Sequence, residues 1–374
     1  MKIRTLNQNP LLATAFLLML VGGFAGHLMP LAGAYLLIAA GCVLANARLV
    51  REANVRERNA AVVYVLILTA LLPISVLRTE TAVLHYVVTL ISFGAAFLLT
   101  RNLEVYHRAS RFLLIGTQVA VLVFLLVNGV ANFPLDNLLP DSSSNGITSY
   151  LVLFQANYCV VRFAASRRTA LPTTLVTLFV CIIGYGRGSI LSAVALLLLG
   201  LGVKVFFVSA ERVMRRLSLV VIALLFVGIP YGGAIADFTL GKTKIGAGLQ
   251  DPSRQIILEQ YLHNIDGLTL ITGASYEGTM IESDFNGNPH NSLIRAHHLF
   301  GLPYIAFLLL APFYLASRDY PLGTRMYAAG LWVVVVFRSY TEPIIFPTMF
   351  DFFYFAGCFV MSRDRPRIPA EVQA

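Results

Sequence analysis

The chain has 374 residues, of which 57% are apolar and only 13% are charged. This composition excludes the soluble globular class and predicts an integral membrane protein. The formal net charge is +9, but in a membrane protein the basic residues first indicate which side of the bilayer each loop faces. We therefore expect membrane lipids, and no nucleic acid, among the partners of this chain.

Apolar runs recur along almost the whole sequence. On the rule that a transmembrane helix needs about 20 apolar residues, the sequence predicts about twelve spans in an all-α, polytopic helical bundle. The spans are predicted near residues 11–28, 31–47, 60–77, 82–99, 112–130, 148–163, 171–185, 188–207, 218–236, 300–316, 326–342 and 346–361. Residues 1–374 are interpreted as a single membrane domain.

The positive charges predict an orientation for these spans. With the N-terminus in the cytoplasm, most of the 28 lysines and arginines fall on the cytoplasmic side, as the positive-inside rule requires. Seven remain on the outer side: Arg78, Arg187, Lys242, Lys244, Arg254, Arg295 and Arg338. Both termini are then cytoplasmic, and the long loop over residues 237–300 faces outward, where no nucleotide is available to a kinase or an ATPase.

The loop 237–300 is too polar to lie in a bilayer and includes the stretches DPSRQIILEQYLHNIDG, ITGASYEG and GNPHNSLIRAHHLFGLP. Its helical periodicity and aromatic residues favour an ordered working site over a disordered linker. An aspartate followed by a proline predicts a helix over residues 252–265, with Ile257 and Tyr261 on one apolar stripe.

Two arginines are candidates for binding an anion. Arg187 lies in the break Tyr185–Gly186–Arg187–Gly188 between two spans, where an arginine needs water, an acid or an anionic ligand. Alternatively, Arg187 is a turn residue whose guanidinium reaches the membrane–water interface. Arg254 is expected in the first turn of the predicted helix, where free amides and the guanidinium both suit a phosphate. A surface ion pair with Asp251 or Glu259 is the alternative there.

A histidine follows in the same loop. His290 comes after Asn288 and Pro289, which we interpret as the N-cap and first residue of a helix entering the span near residue 300. The positive end of a helix disfavours imidazolium, so His290 is predicted to be neutral and able to accept a proton. A capping or packed histidine is the alternative.

The remaining polar residues are given supporting roles or none. Arg338 and Glu342, four residues apart, are expected to form an internal ion pair. The histidines and carboxylates of the loop lack the spacing typical of a zinc site, so no metal and no other cofactor is predicted. Supporting residues of the site are predicted to be Tyr185, Tyr276, Glu277, Asn291, Arg295, His298 and Arg338.

The sequence resembles the O-antigen polymerase and ligase superfamily (Wzy and WaaL types) in three stretches that occur in the same order. They are GYGRGSILSAVALLLLG, the loop arginine followed by ITGASYEG, and PHNSLIRAHHLFGLP. The order and spacing match over about residues 175–315, and the many-span pattern matches over the whole chain. The resemblance implies a GT-C-like, metal-independent glycosyltransferase of the bacterial inner membrane with a periplasmic active site.

By position, the resemblance implies that Arg187 and Arg254 bind the diphosphate of a donor and that His290 activates the acceptor hydroxyl. The implied substrates are oligosaccharides and polysaccharides linked to undecaprenyl diphosphate, and a chain-length regulator is a candidate partner. Such a donor is already activated, so the protein must stabilise charge on the leaving group and remove one proton from a sugar hydroxyl.

Three functions stay open at this point. A polymerase transfers the growing glycan onto a lipid-linked repeat unit, whereas a ligase transfers it to lipid A core. The outer loops hold more acidic than basic residues, which disfavours the anionic acceptor of a ligase, so we favour the polymerase. A transporter or flippase for a lipid-linked glycan is the alternative of another class, although the two halves of the chain show no convincing duplication.

Overall fold

The computed structural model describes residue 6 and residues 8–46, 51–130, 133–139, 142–207 and 252–363. These residues form an all-α fold with 14 helices. The first eight are α1 (Pro10–Ala25), α2 (Met29–Ala45), α3 (Val55–Arg78), α4 (Ala82–Leu99), α5 (Leu103–Asn128), α6 (Ser144–Ser166), α7 (Leu171–Ile183) and α8 (Arg187–Phe207). The other six are α9 (Pro252–His263), α10 (Gly267–Thr272), α11 (Met280–Ser283), α12 (Ser292–Leu315), α13 (Leu322–Thr341) and α14 (Asp351–Met361).

Five of the described helices are long and apolar enough to cross a bilayer, namely α3, α4, α5, α8 and α12. They indicate a multi-pass membrane protein, but the predicted number of about twelve spans is wrong for the part of the chain described. Apolar helices α1, α2, α7 and α14 are too short by this criterion, and α6 and α13 carry polar and charged residues along their length. The predicted span over residues 218–236 lies outside the described residues.

Helix α14 shows why an apolar run need not be a lipid-facing span. It has 11 residues, all of them buried, and it packs against α4 and α6. The ring of Phe353 lies 5.0 Å from Phe154 of α6, and the ring of Phe355 lies 4.9 Å from Phe93 of α4, measured between centroids. The apolar side chains that predicted a span over 346–361 therefore fill the interior of the bundle.

Helix α12 is broken near its middle. Phe300 and Gly301 leave helical geometry, and Gly301 has a φ of +61°. A Cβ at Gly301 would overlap the carbonyl oxygen of Ile271, so this close approach requires glycine. The break leaves carbonyl groups without partners in α12, and α3 binds them: Arg78 donates to the carbonyl of His298, and Ser75 donates to that of Leu299.

The predicted long loop is described from residue 252 and contains α9, α10, α11 and the start of α12. Its helix α9 was predicted over 252–265 and ends two residues earlier, at His263. Ile257 and Tyr261 are buried, as their stripe predicted, in a small core that also contains Ala274, Ile281 and Ile294. The described part of the loop is therefore a folded layer with its own core, which confirms its partly helical character.

Candidate functional site

The ends of several helices meet at Thr341 and Glu342, where α13 stops. Arg254 at the start of α9 binds both residues, and Arg338 in the last turn of α13 reaches the same two. Ser292 at the start of α12 donates a hydrogen bond of 2.9 Å to the carbonyl of Glu342. We call the group Arg187, Arg254, Arg338 and Glu342 the arginine site.

Arg254 bridges the loop and the end of α13. Its Nη1 donates to the carbonyl of Thr341, and its Nη2 lies 3.4 Å from Glu342 Oε1. Among the described residues, Arg254 forms an ion pair with Glu342. The expected alternative partner Asp251 lies outside those residues. A distance of 3.4 Å is long for a charge-assisted hydrogen bond.

Arg338 is held deep between α6 and α13. It is 1% exposed, and its Nη2 lies 3.0 Å from Asn145 Oδ1 and also donates to Ser149 Oγ. The expected i, i+4 ion pair with Glu342 is confirmed, at 3.9 Å between Arg338 Nη2 and Glu342 Oε1. A fully buried guanidinium needs such a set of acceptors, so Arg338 fixes the positions of Thr341 and Glu342 from inside the bundle.

The break before α8 brings the backbone at the start of α8, next to Arg187, to the same place. A Cβ on the neighbouring Gly188 would lie 2.9 Å from Thr341 Oγ1 and 3.1 Å from Arg338 Nη1, so α8 begins in contact with the end of α13. Arg187 is half-buried and is the first residue of α8, as the predicted break required. Tyr185 has a φ of +59° and donates a hydrogen bond of 2.7 Å to the carbonyl of Val130. The tyrosine therefore anchors the turn that presents Arg187.

His290 lies just outside α12 and not in its first turn. The N-cap is Asn291, whose side chain accepts from the amides of Leu293 at 2.8 Å and Ile294 at 3.2 Å, and the predicted N-cap at Asn288 is therefore wrong. Asn288 instead accepts from the His290 amide at 3.0 Å, and His290 has a φ of +48°. The imidazole of His290 is half-buried and precedes the positive end of α12. The same end of α12 is bonded to Glu342 through Ser292.

Arg295 braces the segment that follows Glu342. Its Nη2 donates to the carbonyls of Pro343 at 2.6 Å and Ile345 at 3.0 Å, and its Nε lies 3.4 Å from the carbonyl of Phe346. A guanidinium that binds three carbonyl groups within four residues of irregular backbone positions that backbone. Arg295 therefore supports the arginine site through the 343–346 segment and does not contact Glu342 directly.

Two tyrosines and two histidines join α9, α12 and the 274–276 turn. Tyr261 Oη lies 2.7 Å from His297 Nδ1, and His298 Nδ1 lies 2.8 Å from the carbonyl of Ala274. The ring of Tyr276 stacks on His298 with 3.7 Å between centroids. Burial raises the pKa of the Tyr261 and Tyr276 hydroxyls above the ordinary value, so both stay protonated at neutral pH. This pairing anchors the loop to α12.

The loop carboxylates take no part in these contacts. Glu277, Glu282 and Asp284 are exposed, and the Glu282 side chain accepts from the Gly278 amide at 3.0 Å within its own turn. Among the described residues, no group of three or more histidine, cysteine, aspartate or glutamate side chains has metal-binding geometry.

Four residues of the site were missed by the sequence analysis: Asn145, Ser149, Ser292 and Thr341. They are uncharged, and their spacing carries no motif. Their partners are distant in sequence, so only the packing of α6, α12 and α13 brings them together. The polar start of α6, in the stretch SSSNGITS, was the one available signal.

The fold defines this chain as a multi-pass membrane protein with a cluster of arginines where α6, α8, α9, α12 and α13 approach one another. Such a cluster, with one carboxylate among several guanidinium groups, suits an anion with more than one negative charge. Comparisons with protein-family models, with curated proteins and with solved structures found no match.

Proposed function

We propose that this chain is a metal-independent glycosyltransferase that polymerises a surface glycan carried on undecaprenyl diphosphate. The observation that carries the proposal is the convergence of Arg254, Arg338 and the start of α8 on Thr341 and Glu342. These groups come from distant parts of the chain, and Arg187 and Arg254 are the two arginines that the resemblance assigns to the donor.

The donor chemistry fits the arginine site. Transfer breaks the bond between the sugar and the diphosphate, so negative charge develops on the leaving oxygen and must be stabilised. Arg254 contributes a guanidinium whose Nη2 lies 3.4 Å from Glu342 Oε1. A diphosphate would replace that carboxylate, while the buried Arg338 keeps Glu342 and Thr341 in position.

The acceptor hydroxyl must lose a proton during the transfer, and His290 is the proposed base. It lies two residues before Ser292, which bonds to Glu342, and directly before Asn291, the N-cap of α12. Its ring lies nearly perpendicular to that of Phe285, with 4.9 Å between the centroids. Supporting roles follow for Asn291, which caps α12, and for Tyr276 and His298, which anchor the loop.

The proposal includes an orientation: both termini in the cytoplasm and the 237–300 loop in the periplasm of a bacterial inner membrane. The charge asymmetry of the sequence supports it. A lipid-linked donor is then required because nucleotide sugars are absent there.

The surface glycan profile of a deletion strain tests this function. Loss of a polymerase leaves a single repeat unit on lipid A core, whereas loss of a ligase leaves bare core. Loss of a flippase keeps the lipid-linked repeat on the cytoplasmic leaflet. Complementation with the wild-type chain should restore long glycan and complementation with the H290A variant should not; long glycan in the deletion strain itself would refute the proposal.

A further inference from the structure

A groove of about 620 Å³ runs between α3 and the part of α12 that follows the break at Gly301. The two helices are antiparallel. At one end Arg78 of α3 donates to the carbonyl of His298, and at the other Arg56 Nη1 donates to the carbonyl of Ala316 at 3.1 Å. Both helices are long and apolar enough to cross a bilayer, so the groove opens toward the hydrocarbon chains of the membrane.

The lining of the groove is mostly apolar. Ala60 and Ala311 line it and are buried, whereas Val63 and Leu310 line it and are exposed. Small side chains where the helices meet, with larger exposed side chains beside them, leave a furrow in the surface. An apolar furrow on a membrane-facing surface suits a hydrocarbon chain.

The length of the groove matches one leaflet of a bilayer. Its lining on α12 extends from Pro303 to Tyr314. At 1.5 Å per residue this segment covers roughly 16 Å, about half of the hydrocarbon core of a bilayer. One acyl chain of a phospholipid therefore fits along the groove with its headgroup at the end near Tyr314.

That end of the groove is polar. Asn59 and Tyr314 line it, both are exposed, and Asn59 Nδ2 donates a hydrogen bond of 3.3 Å to Tyr314 Oη. An amide carries two N–H donors and a phenol one O–H donor, so the pair can bind an ester or phosphate oxygen and keep its own hydrogen bond.

The same end carries net positive charge. Apart from the buried Glu57, which is paired with Arg101, the charged residues within 51–59 and 316–319 are Arg51, Arg56, Arg58 and Arg318 against Glu52 and Asp319. Arg58 is exposed and lies on the helix face of Val62, four residues later, which lines the groove. This charge favours an anionic headgroup over a neutral one.

We propose that the groove binds one acyl chain of an anionic phospholipid, whose headgroup lies beside Arg58, Asn59 and Tyr314. From Asn59 to Arg78, α3 rises roughly 28 Å, and Arg78 Nη2 donates to the carbonyl of Thr272 in the loop at 2.9 Å. The headgroup and the loop are therefore at opposite ends of α3. This lipid site is distinct from the arginine site and does not rest on the proposed glycosyl transfer.

Binding can be measured on the full chain purified in detergent and stripped of lipid. The melting temperature is followed while dioleoyl phosphatidylglycerol, which is anionic, or dioleoyl phosphatidylcholine, which has the same chains and no net charge, is added. A ligand that binds only the folded chain raises the melting temperature, and the concentration dependence gives its affinity. We expect tighter binding of phosphatidylglycerol. Equal affinities, or no response to either lipid, would overturn the proposal.

The A306F variant tests the groove itself. Ala306 lines it, so a phenyl ring there occupies the space of the chain and should weaken binding of phosphatidylglycerol about tenfold or more. A70F is the matched control, because Ala70 is exposed on the same helix α3 and does not line the groove. It should bind like the wild type. Wild-type affinity in a folded A306F variant contradicts the proposed site.

The R58Q variant tests the headgroup end and does not alter the groove. It should bind phosphatidylglycerol about fivefold more weakly, with phosphatidylcholine unchanged, because one arginine near the headgroup contributes about this factor. R58K keeps the charge and should retain the preference. R168Q, which changes an exposed arginine after α6, is the control. If A306F does not fold, R58Q decides: an unchanged preference for phosphatidylglycerol overturns the proposal.

Discussion

Arg254 and Glu342 form an ion pair across 88 positions of sequence, with 3.4 Å between Nη2 and Oε1. The pair joins the first turn of α9 to the residue after α13, and Glu342 also lies 3.9 Å from the buried Arg338. One carboxylate thus neutralises part of the charge of two arginines. This relationship suggests how the arginine site stays stable when no anionic substrate is bound.

The first prediction concerns the donor contacts. R254A and R187A should each reduce glycan polymerisation about 10- to 100-fold, because each removes a charge-assisted contact to the diphosphate. Lysine at either position should restore little activity, since an ammonium cannot bind two oxygens in one plane. Polymer length on a gel, at matched expression, is the measurement. R318A is the control and should be neutral; full-length polymer from both alanine variants would exclude the diphosphate role.

The second prediction concerns the base. H290A should fold and insert into the membrane but lose about 10²- to 10⁴-fold of the transfer rate, the usual contribution of general-base assistance. H263A is a matched control, because His263 is an exposed histidine of the same folded loop, and it should retain wild-type activity. Transfer rates in vesicles supplied with lipid-linked repeat units give the comparison. If H290A is active while E277A, E282A or D284A is inactive, a carboxylate is the base.

The third prediction concerns orientation. A reporter enzyme that works only in the cytoplasm should be active when fused after Arg108 or Arg325 and silent when fused after Glu277, because the positive-inside rule places the first two in the cytoplasm. A second reporter that works only in the periplasm should give the reverse pattern. Cytoplasmic activity at the Glu277 fusion would contradict an outward-facing loop.

The fourth prediction tests the broken helix α12. G301A should destabilise the protein by more than the roughly 1–2 kcal/mol that a left-handed backbone costs an alanine, because its Cβ also overlaps the carbonyl of Ile271. Gly278 also has a positive φ, +72°, but a Cβ there meets no atom within 4 Å. G278A should therefore show the backbone cost alone. Thermal unfolding in detergent compares the two variants, and equal losses would mean that the approach of α10 to α12 is not close in the membrane.

The fifth prediction concerns pH. Hydrogen bonds from the Thr269 backbone and side chain, and then from the Leu268 amide, lower the pKa of Asp266 at the N-cap of α10. The charged carboxylate therefore stabilises α10 above the unfolded pKa of about 4, and this stabilisation is lost as the pH falls through the lower folded value. Hydrogen exchange of the Leu268 and Thr269 amides, corrected for intrinsic rates, should show weaker protection at low pH. In D266N the protection should be weaker at neutral pH and should vary little with pH.

The sequence determined the class of the protein and much of its local structure. Composition and apolar runs identified a helical membrane protein, because a bilayer accepts only helices or closed barrels as spanning elements. Glycine and proline residues in the sequence also marked the ends of helices that the structure contains. Gly184 ends α7 as a C-cap and α8 begins at Arg187, and Pro252 opens α9. The i, i+4 spacing of Arg338 and Glu342 predicted their pairing because one helical turn fixes it.

Only the tertiary structure decided which apolar helices face lipid and which residues share a site. An apolar run looks the same in a bilayer and in the interior of a bundle, so α14 was predicted as a span although all of it is buried. Asn145 and Ser149 carry no motif, yet they bind Arg338, which lies about 190 positions away. A buried charge requires acceptors, and the packing of distant helices selects which residues supply them.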